Sequence, residues 1–302
     1  MRSNSLLILF LLSIVIGISS CEKTIDVNVP PYDRKLVVSS VTAVGGKIYA
    51  LAGTSAAIKD RSSNPDLFVT NAEIKLYVDD VYKETMVYDG TYGYPSTIVA
   101  EAGKKYTIKM TAPTYVELEA STMAPSPVAL TAVERIPDIR KNEDGDLQDA
   151  IDITFTDPAT AGDHYIVRIH GSQDSMMGNY DICVNTSDPS VETTAGGIDD
   201  VNTCFDNKAM FVRDDLFNGR QKTIRFYVNS DLIRPAYNGV DSMYSGIELF
   251  HVPEAYFKFV QTSSRALDVN GNPFAEPVNV YTNATNGYGM FAIITWDTKE
   301  IK

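Results

Sequence analysis

Hydrophobic positions follow two patterns along this chain. One is a single unbroken apolar run at the start. The other is a series of short stretches in which apolar and polar residues alternate. The run covers Leu6 to Ile18, interrupted only by Ser13 and Gly17, and follows the positive charge of Arg2. It is too short for the roughly 20 residues of a membrane-spanning helix. It ends in Ile18-Ser19-Ser20-Cys21, an aliphatic residue, two small residues and a cysteine. A charge, an apolar run and small residues before a cleavage point are the order of a secretory signal. A cysteine in that place completes a lipobox. The pattern predicts a lipoprotein signal peptide over residues 1–20, with Cys21 as the lipidated first residue of the mature chain. Residues 21–35 are charged, contain Pro30-Pro31 and read as a tether.

From Leu36 the period becomes two. Ile74, Leu76 and Val78 alternate with polar neighbours, as do Tyr106, Ile108 and Met110, and then Val116, Leu118 and Ala120. Such alternation places one face of a strand inside and the other in water. Gly45-Gly46, Asp79-Asp80, Asp89-Gly90 and Gly103-Lys104 punctuate the runs as turns. The spacing predicts an immunoglobulin-type β-sandwich over residues 36–125. Pro125-Ser126-Pro127 marks a boundary, and residues 126–302 form a second β-rich domain. Its clearest strands carry Ile151-Ile153-Phe155, Tyr165-Val167-Ile169 and Ile224-Phe226-Val228. One short helix is predicted near 253–266, opened by Pro253 and carrying the apolar stripe Tyr256, Phe257, Phe259 and Val260. Met290, Ala292 and Ile294 alternate with Phe291, Ile293 and Thr295 along a closing strand.

Composition adds compartment and excludes some partners. Hydrophobic residues make up 44% of the chain and charged residues 22%, the balance of a globular protein. The net charge is −13, and loss of the signal peptide removes Arg2 and no acid. So acidic a surface argues against nucleic acid as a partner and against electrostatic docking on anionic lipid. Attachment to a membrane then falls to acyl chains on Cys21. The chain has three cysteines. With Cys21 lipidated, Cys183 and Cys204 form an even pair in an exported protein, which reads as one disulfide closing the 183–204 loop. The alternative is two buried free thiols. Neither cysteine has the close second ligand of a zinc site.

Reactive constellations are scarce. The three histidines are His164, His170 and His251. The first two, six apart on one expected strand, stand too far from each other to share a metal. There is no G-x-S-x-G elbow and no glycine-rich nucleotide loop. Asn142 to Asp149 and Asp268 to Asn272 are rich in oxygen ligands but lack the glycine and the twelfth-position glutamate of an EF-hand. No catalytic residue, metal site or cofactor is expected. A glycosidase pair among the 39 acids stays open, because sequence spacing does not give distance in space. The stronger hint is aromatic: Tyr88, Tyr92 and Tyr94 cluster in a glycine-bearing loop, a means by which β-sandwiches contact glycans or proteins. Asp174-Ser175-Met176 and Asp241-Ser242-Met243 resemble exported Asp-Ser-apolar glycosylation sites.

The C-terminal fifth carries a resemblance. It reads Pro253-Glu254-Ala255-Tyr256-Phe257-Lys258-Phe259, then Asn272-Pro273-Phe274-Ala275-Glu276-Pro277-Val278-Asn279-Val280-Tyr281-Thr282-Asn283, then Asn286-Gly287-Tyr288-Gly289-Met290-Phe291. With Cys21 to Pro30, Lys35 to Val38 and Gly103 to Ile108, this resembles the Bacteroidota lipoproteins grouped as domain-of-unknown-function family 4249. The resemblance implies a transthyretin-like first sandwich and an outer-membrane lipoprotein associated with TonB-dependent transporters. It implies no catalytic residues, and the C-terminal motif itself reads as structural. The expectation is therefore a non-enzymatic, lipid-anchored protein of the outer membrane, on its periplasmic or cell-surface face. It would serve as an accessory or ligand-binding partner of a nutrient transporter, with a nutrient or glycan as ligand. The alternatives are a structural or adhesive pilus-like subunit and, behind it, a surface glycoside hydrolase.

Overall fold

Alternation in the sequence becomes burial in the computed structural model, which describes residues 32–56, 67–91, 93–142, 144–172, 179–192, 208–233, 245–269 and 275–302. The first half is built of β1 (Leu36–Ala43), β2 (Lys47–Thr54), β3 (Glu73–Val78), β4 (Val81–Met86), β5 (Tyr94–Val99), β6 (Lys105–Thr111) and β7 (Leu118–Met123). The β3–β4 turn is Asp79-Asp80, with φ of 51° and 63°. Two consecutive left-handed residues match the twist of a hairpin, and aspartate tolerates that region. There follow β8 (Leu130–Lys141), β9 (Leu147–Thr156), β10 (His164–Ser172), β11 (Asn179–Asp181), β12 (Val191–Glu192), β13 (Met210–Arg213), β14 (Gln221–Asn229) and β15 (Gly246–Val252). Helix α1 (Glu254–Asp268), β16 (Ala284–Thr285) and β17 (Tyr288–Glu300) close the chain. The fold is mainly β with one α-helix among the described residues.

The strands form three sheets. A nine-stranded sheet has the order β12-β13-β10-β15-β17-β1-β2-β5, with β11 also paired to β10. A five-stranded sheet has the order β16-β7-β6-β3-β4, and a three-stranded sheet the order β14-β9-β8. One core joins Leu36, Ile48, Ile74, Ile108, Leu118 and Phe291, so the β17-β1-β2-β5 end of the long sheet packs on the five-stranded sheet. A second core joins Ile153, Phe155, Tyr165, Met210, Phe226 and Leu249, so the other end packs on the three-stranded sheet. These are two sandwiches sharing one long sheet.

Strand β17 shows how the sharing works. Its residues Phe291 and Ile293 enter the first core, and Ile301, the residue after its end and of the same parity, enters the second. Met290, Ala292 and Ile294 point to the opposite face, where Phe257 and Val260 of α1 cover them with Ile166 and Phe211. The expected stripe on the helix is thus a helix-on-sheet contact, made by its Phe257–Val260 edge. β17 pairs in parallel with β1 and antiparallel with β15.

The expected boundary at 125–127 lies between the cores, since Ala124 belongs to the first and Val128 to the second. It does not divide the body. Arg34–Lys302 is one compact unit. One local expectation is corrected: Val116 is exposed and precedes β7. The segment around Val278 and Val280 forms no strand. That segment is held instead by side-chain bonds. The Thr262 hydroxyl accepts from the Tyr281 amide at 2.8 Å, the Thr282 hydroxyl donates to the Gly289 carbonyl at 2.6 Å, and Asn283 accepts from the Phe291 amide at 3.1 Å.

Candidate functional site

On the first sandwich, the side of β2 turned away from the core carries Tyr49 and Leu51. Phe68, bridged to Gly53, and the loop carrying Tyr88 and Thr91 stand beside them. With Tyr94 at the start of β5, these residues line a cleft of about 520 Å³. That volume lies within the range of small-ligand pockets. Phe68 is 71% exposed, an unusual state for phenylalanine. Among the described residues, none that line the cleft is Lys, Arg or His.

The loop that frames the cleft is set by Asp89. Its Oδ1 accepts from the Thr91 amide at 2.8 Å and the Gly93 amide at 3.2 Å, and its own amide donates to the Gly93 carbonyl at 2.9 Å. Gly93 is required for space: a Cβ there would meet Tyr49 Oη at 2.5 Å and the Ala50 carbonyl at 2.7 Å. The Tyr49 hydroxyl is buried and has no hydrogen-bond partner among the described residues. Burial raises the Tyr49 phenol above its ordinary value, and the Asp89 charge adds to the shift.

Of the three expected tyrosines, Tyr88 is half-buried and rests on Tyr94, ring centroids 5.6 Å apart. Tyr94 is not an exposed loop residue. It is 1% exposed, its hydroxyl donates to the Val69 carbonyl at 2.7 Å and accepts from the Ala72 amide at 2.9 Å, and it forms the floor. Those bonds hold the Phe68 segment against β5, which is why Tyr94 is buried. Tyr92 lies outside the described residues, as do Cys21, Cys204, Asp174-Ser175-Met176 and Asp241-Ser242-Met243. Cys183 is half-buried between β11 and β12. The pattern of tyrosines pointed to the loop but missed Tyr49 and Phe68, which lie on other elements. The unusual exposure of Phe68 has no signature in sequence.

A second constellation lies in the other sandwich. Asp157, Asp163 and Asp214 bring carboxylate oxygens within 4.8 Å of one another. They come from the β9–β10 connection and the turn after β13, 57 residues apart at the extremes, so no motif announces them. They are engaged as acceptors. Tyr165 Oη donates to Asp157, whose other oxygen takes the Gly219 amide at 2.7 Å. Asp214 takes the Gly162 amide at 3.0 Å. His251 Nε2 lies 3.0 Å from Asp163, and its Nδ1 lies 2.8 Å from the Ser126 carbonyl in the segment joining the cores. These bonds tie loops and connector together, a structural use of the carboxylates. Burial raises the Asp157 carboxyl, opposed by the Tyr165 and Gly219 bonds and reinforced by the Asp163 and Asp214 charges.

An acid raised in the folded state favours folding below its unfolded value and disfavours it as pH rises through the folded one. Asp157→Asn keeps an acceptor and removes the charge. It is expected to raise the melting temperature at pH 8, with the gain shrinking towards pH 4. A variant less stable than the wild type at pH 8 would count against this account of the cluster.

His170 is elsewhere, on β10 with His164. It is held between Asp181 Oδ1, 2.6 Å from Nδ1, and Glu248 Oε2, 3.1 Å from Nε2. The Asp181 bond, then the Glu248 bond, raise it to about 9.

The fold is mainly β, a double sandwich with one shared sheet, an aromatic cleft on the first sandwich and a carboxylate cluster in the second. The match to known families is specific. Residues 22–300 match the family model described as "Domain of unknown function (DUF4249)", and the chain belongs to that family. A search of curated proteins finds no significant match.

Proposed function

We propose that this chain is a non-enzymatic lipoprotein of the outer membrane, an accessory or ligand-binding partner of a TonB-dependent nutrient transporter. The observation that carries the binding reading is the cleft lined by Tyr49, Phe68, Tyr88 and Tyr94. Exposed aromatic area offers contact at small entropic cost. The carboxylate cluster is buried and bonded to its own loops, which favours a non-catalytic reading. The anchor rests on the lipobox at Cys21. Only 14 residues separate Cys21 from β1, so the body reaches only partners close to the membrane.

Two predictions follow from the anchoring and export. Cys21→Ala is expected to move the protein from the membrane fraction to a soluble or unprocessed form. Retention on membranes after a high-salt wash would refute the anchor. Cys183 and Cys204 are expected to appear as one crosslinked peptide in non-reducing mass mapping, and free thiols at both would refute the pairing.

The binding role is tested by growth. A deletion strain on single nutrients is expected to lose growth on at least one, restored by the wild-type chain and not by Phe68→Ala. Normal growth on all nutrients, with loss of surface adhesion instead, would favour the structural alternative.

A further inference from the structure

We infer that the cleft on the first sandwich takes a neutral carbohydrate ring; this deepens the ligand-binding reading above and rests on it. Three observations lead there. First, the floor and one wall are aromatic: Phe68 is largely exposed, and the Tyr88 ring rests on Tyr94 at a tilt of 53°. A sugar ring has apolar C–H faces and polar edges, and a flat aromatic surface matches the faces. Second, polar groups sit among the rings. The Tyr49 hydroxyl is buried without a hydrogen-bond partner among the described residues, and Thr70 and Thr91 line the same space. An unpaired buried hydroxyl carries a desolvation cost that a ligand hydroxyl relieves by pairing with it. A wholly apolar ligand leaves that cost in place.

Third, charge selects against anions. Among the described residues the lining holds no Lys, Arg or His. Sugar acids and sugar phosphates find no opposite charge among those residues. The neutral ring is what remains: faces for Phe68 and Tyr88, an edge for Tyr49.

The test is calorimetric titration of the full mature lipoprotein in detergent. The neutral probes are glucose, galactose, mannose, maltose and cellobiose. Glucuronic acid and glucose 6-phosphate serve as anionic probes, and indole as an apolar ring. Binding of at least one neutral sugar is expected, weakened about tenfold by Phe68→Ala, on the order of one stacking contact. Tyr49→Phe is expected to weaken it several-fold. This variant removes a hydroxyl that has no hydrogen-bond partner among the described residues, so it is expected to fold normally and to isolate the ligand contact. Neutral-sugar binding that both variants leave unchanged overturns the site. Binding of indole or the anions alone, through Phe68, overturns the sugar class while the ligand-binding reading stands. No binding by any probe at millimolar concentration also overturns the sugar inference. The growth phenotype of Phe68→Ala then decides the wider reading separately.

Discussion

Gly289→Ala is expected to prevent accumulation of folded protein, or to leave it unfolding far below the wild-type temperature. Gly289 lies on β17 opposite Val38 of β1, at φ 103°. A Cβ there would lie 1.8 Å from the Val38 carbonyl oxygen and 2.8 Å from its carbon. Both atoms are backbone in the middle of a sheet and cannot rotate away. Left-handed strain costs about 1–2 kcal/mol for an L-residue. Overpacking a well-filled site adds typically 1–3 kcal/mol. The sum, about 2–5 kcal/mol, is a large share of a domain's total stability. The effect is spread widely because β17 contributes to the first core and to the helix contact and runs directly into Ile301 of the second core. Far-UV circular dichroism and thermal melts of the purified variant measure it. A melting temperature within a few degrees of the wild type would show that β17 does not pack on β1 in this way.

Asp149→Ala is expected to be the most damaging charge removal. Asp149 on β9 is fully buried. It accepts from Arg135 Nε at 2.6 Å, the Asp138 amide at 3.0 Å and Ser230 Oγ at 2.5 Å. It thereby fastens β8, where its register shifts between Ile136 and Arg140, to the turn after β14. Removing it strands a largely buried guanidinium, and breaking a buried pair costs about 3–5 kcal/mol. Burial alone would raise this carboxyl, but the bonds from Ser230, Asp138 and Arg135 hold it below its ordinary value. A depressed acid contributes stability above its unfolded value, near 3.9, and loses it as pH falls through the folded one. The wild type should therefore lose stability on acidification below about pH 4, and Asp149→Ala should lose less over that range. Denaturant titrations at pH 3 and pH 7 check both. Equal acid sensitivity in the two proteins would contradict the assignment.

The sequence disclosed more of the fold than of the site, and the reasons are physical. A strand with one buried face writes itself as alternation, so Ile151-Ile153-Phe155 and Ile224-Phe226-Val228 were legible and now pair in register across β9 and β14. Mixed faces were not. β8 is mostly exposed, and β12 is two residues long. The sharing of one sheet by two cores leaves no local trace either, because it depends on which strand β17 finds as neighbour.

The C-terminal motif was legible as structure, and the contacts give the reason. A Cβ on Gly287 would meet the Leu118 side chain at 2.3 Å and the Leu36 carbonyl at 2.7 Å. Thr282 and Asn283 hydrogen-bond the backbone of β17. The cleft was half legible. Tyr88 announced its loop, Tyr94 belonged to the floor, and Tyr49 and Phe68 join only through pairing of β2 with β5 and the Gly53–Phe68 bridge.

The central proposal is a binding protein that works beside a membrane transporter. Affinity purification of the tagged lipoprotein from mildly solubilised outer membranes tests it most directly. The expected result is co-purification of a TonB-dependent transporter in near-equal amount, lost when Cys21→Ala releases the chain from the membrane. Recovery of the lipoprotein without any transporter, or in assemblies of its own kind that form surface filaments, would contradict it.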